Sequence, residues 1–208
     1  MAGELRGHLL SRAVDHIAEH GVGALTLRGL AAGIGTSHRM LIYHFGSKEG
    51  LLVEVVREVE ARQRAALATL DLDPATSLAD TIRAMWHRLA DPALWPYERL
   101  FFEMYGQAVQ GHPGTAPLLE GLVDNWLDLN VELAARWQVP AEVARTHARL
   151  GLAVIRGLLL DLLATGDRAG TDAALETFAV GYEAGLPIPT RVRPVADDSP
   201  PTTGRARS

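Results

Sequence analysis

The sequence predicts an all-α protein, a three-helix N-terminal head followed by a larger helical bundle, and three observations carry that reading. Apolar residues recur at helical spacing through most of the chain, with no competing strand-like alternation and no internal repeat. Strong breakers separate the runs: Asp91-Pro92, Gly111-His112-Pro113-Gly114, Val139-Pro140 and Thr165-Gly166-Asp167. Near the start, two short apolar runs flank a tight Gly33-Ile34-Gly35 break, the pattern of helix, turn and second helix. The chain has 208 residues, 48% hydrophobic and 22% charged, enough for a sizeable core.

In order, residues 5–20 place Leu9, Leu10, Ala13, Val14 and Ile17 on one helical stripe, with Arg12, Asp15 and Glu19 opposite. Gly21 and Gly23 end this helix. Thr26 is a fitting N-cap for a second helix over residues 27–32, with Leu25 and Leu30 at staple spacing. Gly29 within it calls for a close neighbour. Ile34 in the turn is expected to point inward. Thr36 or Ser37 caps a third helix reaching Tyr43, with Met40, Leu41 and Phe45 as core candidates and His38 and Arg39 outward. Ile42, Tyr43 and His44 are further candidates for the outward face, an unusual exposure for such large side chains. Ser47 caps a long helix over residues 47–70, and Pro74 marks a break. Helical patterns then cover residues 77–90, 96–110, 116–137, 141–165 and 170–184, nine in all. From Pro187 the apolar period disappears and a disordered tail is expected. The predicted division is a helix-turn-helix head over 1–46, a bundle over 47–186 and a tail over 187–208.

The net charge of −5 argues against non-specific coating of nucleic acid, but its distribution is uneven. Residues 1–48 hold five basic and three acidic side chains, leaving −7 on the remainder. A basic head on an acidic body suits local phosphate contact. The longest apolar run, residues 150–163, is interrupted by Arg156 and Asp161 and falls short of the roughly 20 residues of a membrane span. No basic, apolar leader opens the chain, so the cytoplasm is the expected location. The absence of cysteine excludes disulfides, thiolate zinc sites and cysteine nucleophiles.

The segments Thr26-Leu27-Arg28-Gly29-Leu30-Ala31, Gly35-Thr36-Ser37, Leu41 and above all Tyr43-His44-Phe45-Gly46-Ser47-Lys48-Glu49-Gly50-Leu51-Leu52 resemble the N-terminal domain of the tetracycline-repressor (TetR/AcrR) family of bacterial transcription regulators. The motif similarity spans residues 9–56; beyond it only length and helical layout agree. The resemblance implies a homodimer that binds a palindromic operator in double-stranded DNA and releases it when a small molecule enters the C-terminal domain. It makes Ser37 to His44 the recognition helix. It also makes Thr26, Arg28, Tyr43, His44 and Lys48 candidates for phosphate contact. Arg39 suits base readout, because its planar fork can pair with O6 and N7 of guanine for about 1–3 kcal/mol of discrimination, with His38 and Met40 next. The family often has a small residue at the position of Arg39 and a tyrosine at that of Ile42. Here the tyrosine stands one residue later, a rotation of ~100° about the helix.

Eight of the twelve aromatics fall between Trp86 and Trp137. Among them Trp86, Trp95, Phe101, Phe102, Tyr105 and Trp126, with Met85 and the polar Arg156, are the candidate lining of a pocket for a small, largely apolar ligand. The helix over 141–164 is apolar nearly all round after Arg149 and needs cover on both sides. With the small-residue-rich helix over 171–184 it is expected to build a four-helix interface across a two-fold axis, through Leu152, Ile155, Leu159, Leu162, Ala174, Phe178 and Gly181. Arg156 and Asp161 are not spaced as a helical ion pair, so each is expected to find another partner.

His16-Ile17-Ala18-Glu19-His20 matches an inverted zinc-protease spacing that places two imidazoles on one helix face. Gly21 ends the helix at once and no third ligand is evident, so packing of His20 beside Ile17 is preferred over a metal-dependent hydrolase. The other alternative is a ligand-sensing or protein-interaction module without functional DNA binding. The reading adopted is a DNA-binding regulator, most naturally a repressor, with no enzymatic activity, metal or cofactor.

Overall fold

A computed structural model describes residues 2–21, 25–69 and 76–188. Helix α1 (Ala2–His20) lays Leu9, Leu10, Ala13, Val14 and Ile17, all buried, into one core with the short helices α2 (Leu27–Gly33) and α3 (His38–Phe45). Gly21 closes α1 at φ 70°, its N–H donating to the Ile17 carbonyl at 2.9 Å. The expected turn at Gly23 lies outside the described residues. Thr26 and Ser37 are extended N-caps whose hydroxyl oxygens accept from Gly29 N at 3.0 Å and Met40 N at 3.2 Å. Ile34, 2% exposed, plugs the turn between α2 and α3, and Gly35 takes the left-handed conformation beside it. The closest approach in this helix pair is at Gly33, not Gly29. A Cβ on Gly33 would lie 2.5 Å from the His16 ring of α1, whereas one on Gly29 meets only the Thr26 hydroxyl, at 3.1 Å.

Helix α4 (Lys48–Ala68) starts at Ser47, whose Oγ accepts from Gly50 N at 2.9 Å. It ends at Ala68 with Thr69 as its C-cap, just short of the expected Leu70, which with the break at Pro74 lies outside the described residues. Leu51, Leu52, Val55, Val56 and Val59 are buried in a core that runs without interruption from the head into Leu100, Phe101 and Met104 of helix α6 (Trp95–Val109). The 46/47 boundary is therefore a change of helix but not of core. Helices α5 (Leu78–Leu89), α7 (Asp124–Ala134), α8 (Ala141–Thr165) and α9 (Arg168–Ala184) complete the bundle. No strand occurs among the described residues, and no helix there is long and apolar enough to cross a membrane.

The helix expected over 116–137 is broken. Residues Ala116–Leu119 form one 3-10 turn, Gly121 takes φ 69°, α7 follows, and Ala135–Trp137 form a second 3-10 turn ended by Gln138 at φ 58°. Pro117 has no N–H to give, and Gly121 supplies a conformation that reverses the chain, so periodicity alone overran the break. The predicted tail lies, after Ile188, outside the described residues.

The expected two-fold interface also needs correction. Ile155, Leu159 and Leu162 are at most 4% exposed and pack on α5 and α9 of their own subunit. Leu152 and Phe178 are half-buried and face an internal cavity, while Ala174 and Gly181 are exposed as expected. Hydropathy cannot separate the faces of a helix that is apolar all round; side-chain size did, with the bulky branched residues turned inward. The outward stripe of α8 is Thr146, Leu150, Ala153, Gly157, Leu160 and Ala164, and beside it α9 presents Ala173, Thr177, Val180 and Ala184. Leu150, Leu160 and Val180 are each more than half exposed.

Candidate functional site

Helix α3 is a short rod fixed at three points. Leu41 and Phe45 anchor its inner face at 0% and 8% exposure, and Ser37 caps its start. Gly46, at φ 78°, ends it by returning its N–H to the Ile42 carbonyl at 2.9 Å. The opposite face is left to solvent: His38 and Arg39 are exposed, Ile42 is 39% exposed and Tyr43 77%. Met40 is half-buried, between the two readings its position allowed. Thr26 and Arg28 are exposed at the start of α2, and Lys48 is half-buried in the first turn of α4. The cap hydroxyls of Thr26 and Ser37 use an oxygen lone pair locally and keep their protons for another acceptor. Arg12, Arg28, Arg39 and Lys48 form no ion pair among the described residues, so these four cationic groups of the head are uncommitted.

His44 departs from its expected outward position. It is half-buried, its Nε2 is enclosed without a hydrogen-bond partner, and its ring is flanked edge-on by Tyr43 and obliquely by Phe45. Its carbonyl accepts from Arg6 Nε at 3.5 Å. Arg6 was not anticipated: its guanidinium lies 5.1 Å from the Phe45 ring centroid and pairs with Glu54 at 2.7 Å, tying α1, α3 and α4 together. Nothing in the local sequence around Arg6 signals a partner 48 residues away. His16 and His20 stack at 4.1 Å, and the His16 ring fills the notch left by Gly33. Among the described residues no group of three potential ligands forms there.

The second feature is a cavity enclosed by α4 to α9. Of the residues expected to line it, Met85, Phe101, Phe102, Trp126 and Arg156 do so. Three do not. Trp86, 1% exposed, packs between α5 and α9 and donates its Nε1 to Asp172. Trp95 sits off the wall, its Nε1 3.4 Å from the Ala90 carbonyl and its ring under Arg99. Tyr105 stands behind the lining, stacked on Phe101 at 5.5 Å. The wall also includes Trp137, Ile155, Leu159, Phe178 and a polar group that sequence reasoning missed: Glu60, Gln63, Glu98, His147 and Tyr182.

A signal for that polar group was present. On α4, Glu60 and Gln63 fall on the apolar stripe of Leu52, Val56, Val59 and Leu67, all buried, and on α6 Glu98 shares a stripe with Phe101 and Ala108. Carboxylates thus stand where a core is due. Burial raises the Glu60 carboxyl, opposed by the Trp126 indole N–H that donates to it and by Arg156 and Arg64. Burial pushes Glu98 up to about 7, opposed by a 2.8 Å hydrogen bond from Gln63 and reinforced by Glu60. Arg156 is lowered by burial, against the pull of Glu60, Tyr105 and Glu98. Its guanidinium lies 5.1 Å from the Phe101 ring centroid. Burial likewise lifts the Tyr182 phenol to about 12.

Residues 9–55 match the family model described as bacterial regulatory proteins, tetR family. No curated protein sequence matches the chain. Among solved structures, a transcriptional regulator from Rhodococcus sp. is similar at 20% identity and TM-score 0.68, over 87% of this chain and 97% of that one. A TetR transcription regulator from Haloarcula marismortui is similar at 16% identity and TM-score 0.68, over 88% and 98%. NalD, the secondary repressor of the MexAB-OprM multidrug efflux pump in Pseudomonas aeruginosa, is similar at 21% identity and TM-score 0.58, over 92% and 99%. At these identities the likeness shows a shared fold. The family match thus covers residues 9–55, and over the rest of the chain the likeness is one of fold.

Proposed function

We propose that this chain is a sequence-specific DNA-binding transcriptional regulator, a cytoplasmic repressor that leaves a palindromic operator when a small, largely apolar ligand enters the α4–α9 cavity. The observation that carries the reading is α3, a rigidly anchored helix whose outer face presents His38, Arg39 and Tyr43 to solvent, flanked by the uncommitted cations Arg28 and Lys48. Such a rod fits the major groove, and the capped starts of α2 and α4 suit the phosphates on either side. A homodimer through the outward stripes of α8 and α9 would set two heads about one helical turn, ~34–36 Å, apart.

Selection of bound fragments from genomic DNA, followed by titration of wild type, Arg39→Ala and Lys48→Ala, tests this. Losing Arg39 should relax preference at one base pair by about 1–3 kcal/mol. Losing Lys48 should weaken all sequences alike and lower the salt slope by about one. Selection of no sequence by the wild type would remove the proposal.

A further inference from the structure

The cavity's polar end sets a charge preference, an inference that rests on reading the cavity as the ligand site. Most of the wall is apolar, but where α4, α6 and α8 meet it carries two carboxylates and one guanidinium. Glu60 is engaged, accepting from the Trp126 indole and pairing with Arg64 at 3.3 Å. Glu98 is not. It is 6% exposed, one oxygen accepts from the neutral Gln63 amide at 2.8 Å, and Oε2 has no hydrogen bond or ion pair among the described residues. Arg156 is instead held over the rings of Phe101 and Tyr105, with its Nη2 3.5 Å from the Leu122 carbonyl.

We propose that the cavity takes a small lipophilic monocation, a protonated or quaternary amine on an apolar body, with its positive head against the Glu98 carboxylate and its body on Phe102, Trp126, Ile155 and Leu159. Arg156 favours the Glu98 carboxylate but forms no ion pair with it; a buried carboxylate without an ion-pair partner is costly, and a ligand that brings one offsets that cost. An anionic head would meet two acidic groups and only one guanidinium. Glu60 from α4 and Arg156 from α8 act on Glu98 directly; the other ionisable side chains of the wall are His147 from α8 and Tyr182 from α9, Arg64 lies off the wall and pairs with Glu60, and the α5 and α7 residues on the wall are uncharged. Because free Glu98 holds its proton up to about pH 7, a permanent cation must displace that proton. Its affinity therefore rises with pH, by up to about tenfold per unit below that point, and levels off above it.

The test uses the full chain and three probes sharing one alkyl chain, decyltrimethylammonium, 1-decanol and decanoate, each below its micelle-forming concentration and followed by titration calorimetry from pH 5.5 to 8.5. At pH 8 the cation should bind at least about tenfold more tightly than the alcohol, and decanoate weakest, with only the cation's affinity rising with pH. Glu98→Gln should remove that preference and the pH dependence while leaving decanol binding within about threefold, which also shows the variant folded. Tightest binding of decanoate or decanol, or a cation affinity that is flat with pH in the wild type, overturns the charge assignment and leaves the ligand-site reading standing. Binding of none of the three overturns both.

Discussion

A carboxyl group buried in a largely apolar cavity wall favours its proton, and at Glu98 burial moves the pKa from 4.5 to about 7. The unfolded chain gives up this proton at the lower value. Between the two values the folded state holds more protons, so the stabilisation is complete below about pH 4.5 and is lost as pH rises through about 7. Glu98→Gln does not titrate, so its stability relative to wild type should grow between pH 5 and 8, by an amount on the order of 3 kcal/mol. Denaturant midpoints at the two pH values measure this, and parallel pH dependences for the two proteins would refute it. At Trp126 the indole donates to Glu60, so Trp126→Phe keeps most of the ring but strips a donor from a buried carboxylate. A loss of about 1–3 kcal/mol is expected, and an unchanged melting temperature would show that Arg64 alone satisfies Glu60. The geometry of the head was legible in the sequence because short motifs fix a cap, a turn and an anchor within a few positions, as at Thr26, Ser37 and Phe45. The cavity's polar end was not, because Glu60, Glu98 and Arg156 come from three helices and acquire meaning only when those helices pack.

At the scale of elements, α6 touches both the head and the cavity. Its Tyr97 hydroxyl donates to the Val14 carbonyl of α1 at 3.1 Å, while the adjacent Glu98 lines the cavity. Helix α4 joins the head to the bundle along the chain, and α6 offers a second connection from cavity to head. Tyr97→Phe removes one hydrogen bond at a cost of about 0.5–1.5 kcal/mol and should weaken the influence of cavity ligands on DNA affinity more than it weakens either binding event alone. Measuring DNA affinity with and without saturating ligand in both proteins checks this, and equal ratios would exclude the α6 route. Helix starts were readable where a capping residue was recognised, as at Ser47; at Asp167, whose carboxylate accepts from Gly170 N at 2.8 Å, the cap went unread and the helix begins two residues before the expected 170. Boundaries were misread over 116–137, where Pro117 and Gly121 interrupt a pattern that keeps its apolar period on either side.

For the molecule as a whole, the outward stripe of α8 steps by four, three, four, three and four residues from Thr146 to Ala164, the seam spacing of a packed helix pair. Its residues are small except Leu150 and Leu160, which allows a second copy to approach closely across a two-fold axis. Leu160 is 51% exposed and belongs to no buried core cluster, so a glutamate there can keep its carboxylate in solvent within the subunit but places charge in the proposed interface. Leu160→Glu should keep its helical content and thermal midpoint at low concentration and sediment as a monomer. Its single head then loses the effective concentration that tethering gives the second, and affinity for a two-half-site operator should fall by roughly 10²–10⁴-fold, while binding to an isolated half-site is unchanged. Val109→Glu is the control, since Val109 is a still more exposed apolar residue, at 65%, on α6 and away from this stripe. It should remain dimeric and bind the full operator as wild type does. A Leu160→Glu protein that still sediments as a dimer would move the interface to another face, and one that is monomeric yet binds the full operator undiminished would show that the two heads act independently.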